Sequence, residues 1–341
     1  MVASEPRQTT VEQDRDFKGP LFIIGMPRSG TKLFRELLNG HSQISIPPVE
    51  TDFLPYWVKK WSSFGDLSDP VQFSEFYRSV INYPYFIYRK NQVGSIISEQ
   101  SWYQWCKNYT PAGVFEALMR HDAGLDYNSE GIWGDKSPAY ITHMPLLKEL
   151  FPQAKFIHII RDVRDYCLSL HKGWGRNMLR AAQRWADSIT QPQKDAQGFA
   201  TDYLEIKYEE LLNNPEPTLT KCCEFLGVPF EPTMVNLVKS PENIGDTKGQ
   251  TSVNPANQGK YMQLMAPGLR QQIEAIAAPA LSHFGYPVSP PQKQRRLSHL
   301  TMFYLQIIDG LNFIKSESSR EGFFNTIKIA WGALTTSGFR H

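Results

Sequence analysis

Gly25-Met-Pro-Arg-Ser-Gly30-Thr-Lys32 joins a short apolar run, residues 20–25, to leucines at helical spacing, Leu33, Leu37 and Leu38. A glycine-rich turn between a strand and a helix gathers backbone N–H groups and the positive helix end onto one point, which makes a cradle for an anion. Nucleotide triphosphatases use the order G-x-x-x-x-G-K-[ST], in which Lys reaches the terminal phosphates and Ser/Thr holds Mg²⁺. Here Gly30 is followed by Thr31 and then Lys32, so the cation is displaced by one position and the magnesium hydroxyl is missing. That order disfavours a magnesium-dependent kinase or ATPase. Arg28 instead puts a positive charge inside the loop, where it can meet an anionic bridging group without a metal.

A second strand-to-helix junction, Phe156-Ile-His-Ile-Ile-Arg161-Asp-Val-Arg-Asp165, carries an Arg at the strand end and Ser169 eight residues later. Two helical turns separate them, so both can address one phosphate beside the helix start. A bland alternative is that Arg161 and Arg164 pair with Asp162 and Asp165 on a solvated helix end. Together the two junctions resemble the sulfotransferase family, whose loop has the usual form G-x-P-[RK]-S-G-T-[TS]. Gly25, Pro27, Arg28, Ser29, Gly30 and Thr31 match it, and Lys32 departs from the common Thr/Ser. The resemblance covers residues 20 to about 287. It implies a P-loop-like three-layer α/β fold and, as co-substrate, 3′-phosphoadenosine 5′-phosphosulfate (PAPS), with the 3′-phosphate held by Arg161 and Ser169 and no metal. By the same resemblance Tyr208 lies near the adenine, a core aromatic being the alternative. Lys260, in the polar loop 251–261, is the candidate cation over the 3′-phosphate, a surface lysine being its alternative.

In-line transfer of a sulfuryl group to an alcohol or phenol needs positive charge at the bridging oxygen and a base at the acceptor. Arg28 is the candidate for the leaving side. Lys136, in Gly134-Asp-Lys-Ser-Pro138, resembles the family lysine that contacts the transferring group. Cytosolic sulfotransferases place a His two residues after that lysine, a position held here by Pro138. Tyrosylprotein sulfotransferases use a Glu in a pattern like E-T-x-x-x-P, and Glu50-Thr-Asp-Phe-Leu-Pro55 fits that spacing. Glu50 is therefore the candidate base, in an apolar surround expected to raise its pKa toward working pH. Its alternative is a charge or cap partner at the N-terminus of the helix that follows. Asp135, His41 and His158 are the fallback bases. Two rival functions stay open: a P-loop nucleotide kinase, and a non-catalytic nucleotide-binding protein with Glu50 and Lys136 idle.

The elements that must position these groups are legible in outline. Strands are expected at 20–25, 131–134, 155–160 and 203–208, alternating with helices, which implies a mainly parallel sheet with helices on both faces. Short helices are expected at 53–61, 73–81, 111–127, 144–151, 208–213 and 216–227. The chain divides into a flexible segment 1–16, a catalytic domain 17–288 with an aromatic-rich insertion at 45–110, and a helical tail 289–341. Trp57, Trp61, Tyr83, Tyr85, Phe86 and Trp102 make that insertion a candidate acceptor wall, with plain core as its alternative.

The 341 residues carry 36 Lys and Arg against 34 Asp and Glu, which excludes a polycation built to coat nucleic acid. Four cysteines without a CxxC pair read as reduced core thiols, and the N-terminus has no apolar leader, so a soluble cytoplasmic enzyme is expected. The expected partner is a hydroxyl-bearing small molecule, lipid, sugar or peptide. Seven basic and three acidic residues make the tail locally positive, and helices are expected there at 297–316 and 320–334. Packing on the core, homodimerisation and peripheral membrane contact are the three roles open to it.

Overall fold

The computed structural model describes residues 17–241, 247–288 and 293–321, with side chains as far as 312 in the last segment. Five parallel strands form one sheet: β1 (Leu21–Gly25), β2 (Ile44–Ser45), β3 (Ile132–Lys136), β4 (Lys155–Ile160) and β5 (Tyr203–Lys207). Their spatial order is β2-β3-β1-β4-β5. Every residue of β1 is buried, as a central strand covered on both faces requires. Its neighbours bring both loops of interest to the same edge: Ile23 lies opposite Lys136 of β3, and Gly25 opposite Ile159 of β4. Helix α1 (Thr31–Leu38) follows β1, and the Val163–Trp174 helix follows β4. The two helices thus start side by side at the carboxyl edge of the sheet, where α/β folds bind ligands.

Three apolar clusters hold the layers. One lies on one face of the sheet around Leu21, Ile23, Phe34 and Leu37. A second packs the Val163–Trp174, Met178–Ser188 and Pro267–His283 helices around Trp185. The third unites β1 and β3 with the aromatic insertion. Four helices lie in that insertion, between Leu54 and Trp105, and a fifth, Pro111–Asp122, follows it. Trp57, Tyr85, Phe86 and Trp102 are at most 1% exposed, so these rings are core and not a wall open to ligand. Trp57 and Phe76 meet edge to face at 5.2 Å between centroids, and Phe53 and Trp57 lie 4.2 Å apart. Aromatic pairs of this kind stabilise beyond their buried area.

Several boundaries differ from the expectation. Strand β3 runs on to Lys136, placing Asp135 and Lys136 on the sheet and not on a following loop. The helix expected at 111–127 ends at Asp122, because Gly124 turns the backbone left-handed at φ 73°. The helix Met178–Ser188 had no counterpart in the expectation. All four cysteines are free and buried.

In the tail one helix, His299–Glu321, replaces the first expected helix; the second lies almost wholly outside the described residues. It docks through Asp309, 1% exposed, which accepts from Arg180 Nη1 at 2.9 Å and from the Asn177 amide at 2.7 Å. Leu300, Phe303, Tyr304 and Leu311 are each 64% exposed or more. No helix among the described residues is long and apolar enough to cross a membrane.

Candidate active site

The loop after β1 is built on left-handed backbone. Gly30, the N-cap of α1, has φ 91°, and Arg28 has φ 69°. A Cβ at Gly30 would overlap the ring of Tyr208, so the residue must be Gly for Tyr208 to lie against the loop. Ser29 is fully buried, its amide closes a turn on the Met26 carbonyl at 3.1 Å, and its hydroxyl has no partner within the protein. A buried donor left without a partner is costly unless a ligand supplies one.

The second junction closes over the first. Arg28 Nε donates to Ser169 Oγ at 3.2 Å. Arg161 Nη1 donates to the Arg28 carbonyl at 2.9 Å, and Nη2 to the Asn257 carbonyl at 3.2 Å. The Arg161 guanidinium lies 4.5 Å above the Tyr208 ring, and its buried Nε has no partner. Arg164 takes the structural role: it pairs with Asp162 and, at 2.7 Å, with Glu274. Asp165 accepts from the amides of Gly259 and Tyr261, and so fastens the loop bearing Asn257 and Lys260 onto the Val163–Trp174 helix. Asn257 donates to Tyr208 Oη at 2.8 Å and accepts from Lys260 Nζ at 2.6 Å. Arg28, Gly30, Arg161, Ser169, Tyr208 and Lys260 all line one cavity open to solvent.

A second group stands at the end of β3. Lys136 Nζ donates to Glu50 Oε1; the Lys136 side chain is 1% exposed and that of Glu50 is 35% exposed. Burial pulls the Lys136 pKa down to about 8, against the opposing pull of Glu50. Burial acts to raise Glu50, but Lys136, Lys32 and Arg35 together hold its carboxyl below the usual range. The expected upward shift is therefore corrected: cations, not apolar walls, dominate around Glu50. Beneath the pair Thr51 Oγ1 donates to Asp135, the Thr51 amide donates to Ser137 Oγ at 2.9 Å, and Tyr140 Oη lies 2.7 Å from Thr51 Oγ1. Burial first, against hydrogen bonds from Thr51 and Ser137, raises Asp135 to about 7.

A model of the sulfotransferase family matches residues 20–232 of the chain. The chain belongs to the sulfotransferase family. It is 24% identical over 289 residues to protein-tyrosine sulfotransferase 2 of Gallus gallus, covering 78% of this chain and 69% of that one. To protein-tyrosine sulfotransferase 1 of Danio rerio it is 23% identical over 299 residues, 81% of this chain and 75% of that one. Among solved structures the sulfotransferase domain of the curacin biosynthetic pathway superposes with a TM-score of 0.55 at 22% identity, covering 80% of this chain and 99% of that domain. This chain is thus a sulfuryl-transferring enzyme with the α/β fold expected of the resemblance.

The fallback histidines of this sulfotransferase serve the fold. His41 Nε2 meets the Pro229 carbonyl at 2.8 Å, and its Nδ1 takes the Gln43 amide. His158 is buried in β4, with Nδ1 on Tyr203 Oη at 2.8 Å. Burial lowers its pKa, so it stays neutral. Glu50 does not cap the Leu54–Lys60 helix, whose N-cap is Phe53 and whose first turn holds no acid. Lys32 does not line the cavity that holds Arg28 and Arg161; its charge acts on Glu50. Arg35 and Asn257 were given no role by the sequence, and Asp165 only that of an ion-pair partner on a solvated helix end. Only the G-loop's helical register, which puts Arg35 one turn beyond Thr31, signalled any of them.

Proposed function

We propose that this sulfotransferase takes its sulfuryl group from PAPS and delivers it to an acceptor hydroxyl, with Glu50 as base. The observation that carries the reading is the Glu50–Lys136 contact at the end of β3, one strand away from the Arg28 loop. When bound, PAPS supplies a sulfuryl group on a good leaving phosphate. The unpartnered buried Ser29 Oγ and Arg161 Nε fit such a doubly phosphorylated donor. Arg28, Ser29, Gly30 and Thr31 hold the 5′ side. Arg161, Ser169 and Lys260 hold the 3′-phosphate, with Tyr208 beneath the base.

Glu50, kept ionised by its cationic neighbours, takes the acceptor proton. Lys136 and Arg28 face the negative charge that develops on the leaving side. Once Glu50 is protonated its hold on Lys136 weakens, which frees the ammonium for that charge. The similarity to protein-tyrosine sulfotransferases favours a phenolic or other alcoholic hydroxyl as acceptor.

Calorimetric titration with 3′,5′-adenosine bisphosphate in EDTA, followed by transfer of ³⁵S from labelled PAPS, tests the assignment. Metal-independent binding and label transfer are expected. Binding of ATP only with Mg²⁺, and no bisphosphate binding, would instead support the kinase.

A further inference from the structure

Between Glu50 and the Leu54–Lys60 helix the chain makes an unusual turn. Asp52 has φ 54°, and the Phe53 amide returns to the Thr51 carbonyl at 2.7 Å, a three-residue turn centred on Asp52. A non-glycine residue held at positive φ costs energy and persists where its surroundings demand it. Thr51 is the inner residue of this turn, 4% exposed and tied to Asp135, Ser137 and Tyr140. Its two neighbours, Glu50 and Asp52, are the more exposed residues on either side.

The Asp52 carboxyl is incompletely used. Its amide reaches Ser137 Oγ at 3.4 Å, but its Oδ1 is buried and has no hydrogen-bond partner. A buried carboxyl oxygen without a partner is a cost the fold bears unless a ligand relieves it.

We infer that Asp52 is an acceptor-positioning residue: it binds a second hydroxyl of the acceptor while Glu50 addresses the reacting one, so that this enzyme favours diols over mono-alcohols. The inference rests on the reading of Glu50 as the base. Charge decides between a hydroxyl and an ammonium as the occupant. Lys136, Lys32 and Arg35 already act on Glu50, and a cationic acceptor would enter against them. Burial, reinforced by the Glu50 and Asp135 carboxylates and opposed by Lys136 and Ser137, raises the Asp52 pKa well above its ordinary value and so favours the un-ionised carboxyl. An un-ionised carboxyl both donates and accepts, as a hydroxyl does, and offers an ammonium no counter-charge.

The test compares matched probes: 4-methylphenol with 4-methylbenzene-1,2-diol, and octan-1-ol with octane-1,2-diol. The ratio of kcat/KM within each pair is read from ³⁵S transfer, and diol binding to the bisphosphate-saturated full-length protein is read by calorimetry. A diol preference of about tenfold, the value of one well-placed hydrogen bond, is expected for the wild type in at least one pair. Asp52→Ala should reduce that ratio to near one, and Asp52→Asn, which tolerates the left-handed backbone and keeps a donor and an acceptor, should retain most of it. A purely structural role would lower both members of a pair together and leave the ratio unchanged. No diol preference in binding or turnover, or a preference that survives Asp52→Ala, overturns the inference. Failure to bind the bisphosphate or to transfer label to any probe would strike the underlying reading instead.

Discussion

Arg28 and Ser169, 141 residues apart in sequence, meet through a 3.2 Å hydrogen bond from Nε to Oγ. That bond joins the loop after β1 to the helix after β4, and Arg161 adds a second tie to the Arg28 carbonyl. Two strand-to-helix junctions thereby become one cavity wall.

Arg28→Ala and Arg161→Ala should each weaken bisphosphate binding by about 1.5–3 kcal/mol, roughly ten- to hundredfold in Kd, as loss of a charge-assisted contact predicts. Calorimetry checks this, and unchanged affinity in both variants would refute the PAPS assignment.

Gly30→Ala tests the loop more severely. The added methyl meets the Tyr208 ring, and the backbone must keep φ 91°. Overpacking and left-handed strain together should cost at least about 2 kcal/mol in urea unfolding and abolish nucleotide binding. A variant with wild-type affinity would show that Tyr208 moves freely away from the loop.

Glu50→Gln should keep donor affinity and lose kcat by roughly 100-fold or more, since the amide preserves shape but takes no proton. Because burial brings Lys136 to about 8, kcat/KM of the wild type should fall as pH rises through that value and the ammonium is lost. Lys136→Arg should move this alkaline limb beyond the measurable range, whatever it does to the maximal rate. A wild-type profile flat to pH 10 would show that the charge on Lys136 is not used.

Asp135 gives a stability signature of defined sign. Its folded pKa is raised to about 7 from 3.8, so between these values the native state binds more protons than the unfolded chain. Its contribution to stability therefore declines as pH rises from about 4 to 7. Asp135→Asn should flatten that part of the wild-type curve in urea titrations. An unaltered slope would place the shift elsewhere.

Among the described residues the Asp309–Arg180 ion pair is a buried tie between the tail helix and the core. Asp309→Ala leaves Arg180 buried without its partner and should cost about 3–5 kcal/mol, while leaving bisphosphate affinity intact because the cavity lies elsewhere. Loss of affinity in a folded variant would show that the tail helps to shape the donor site.

Much of this protein was legible from its sequence, because the information is local. The β1 loop, the β4 junction and the alternation of strand and helix each occupy a few consecutive residues, and short-range geometry places backbone amides and an Arg where an anion can sit. Sequence also brought out Glu50 and Lys136 as separate candidates. Tertiary structure alone decided that they touch, because the contact depends on β3 continuing to Lys136 and on residues 50–53 turning back over it. It also reversed the sign of the Glu50 shift, since Lys32 and Arg35 come from α1 and Lys136 from β3, and summed charge at a point is invisible to a linear motif. The aromatic insertion shows the same limit from the other side. Its rings were evident as apolar mass, but whether Trp57 and Trp102 faced a ligand or one another depended on how its short helices pack, and they pack inward.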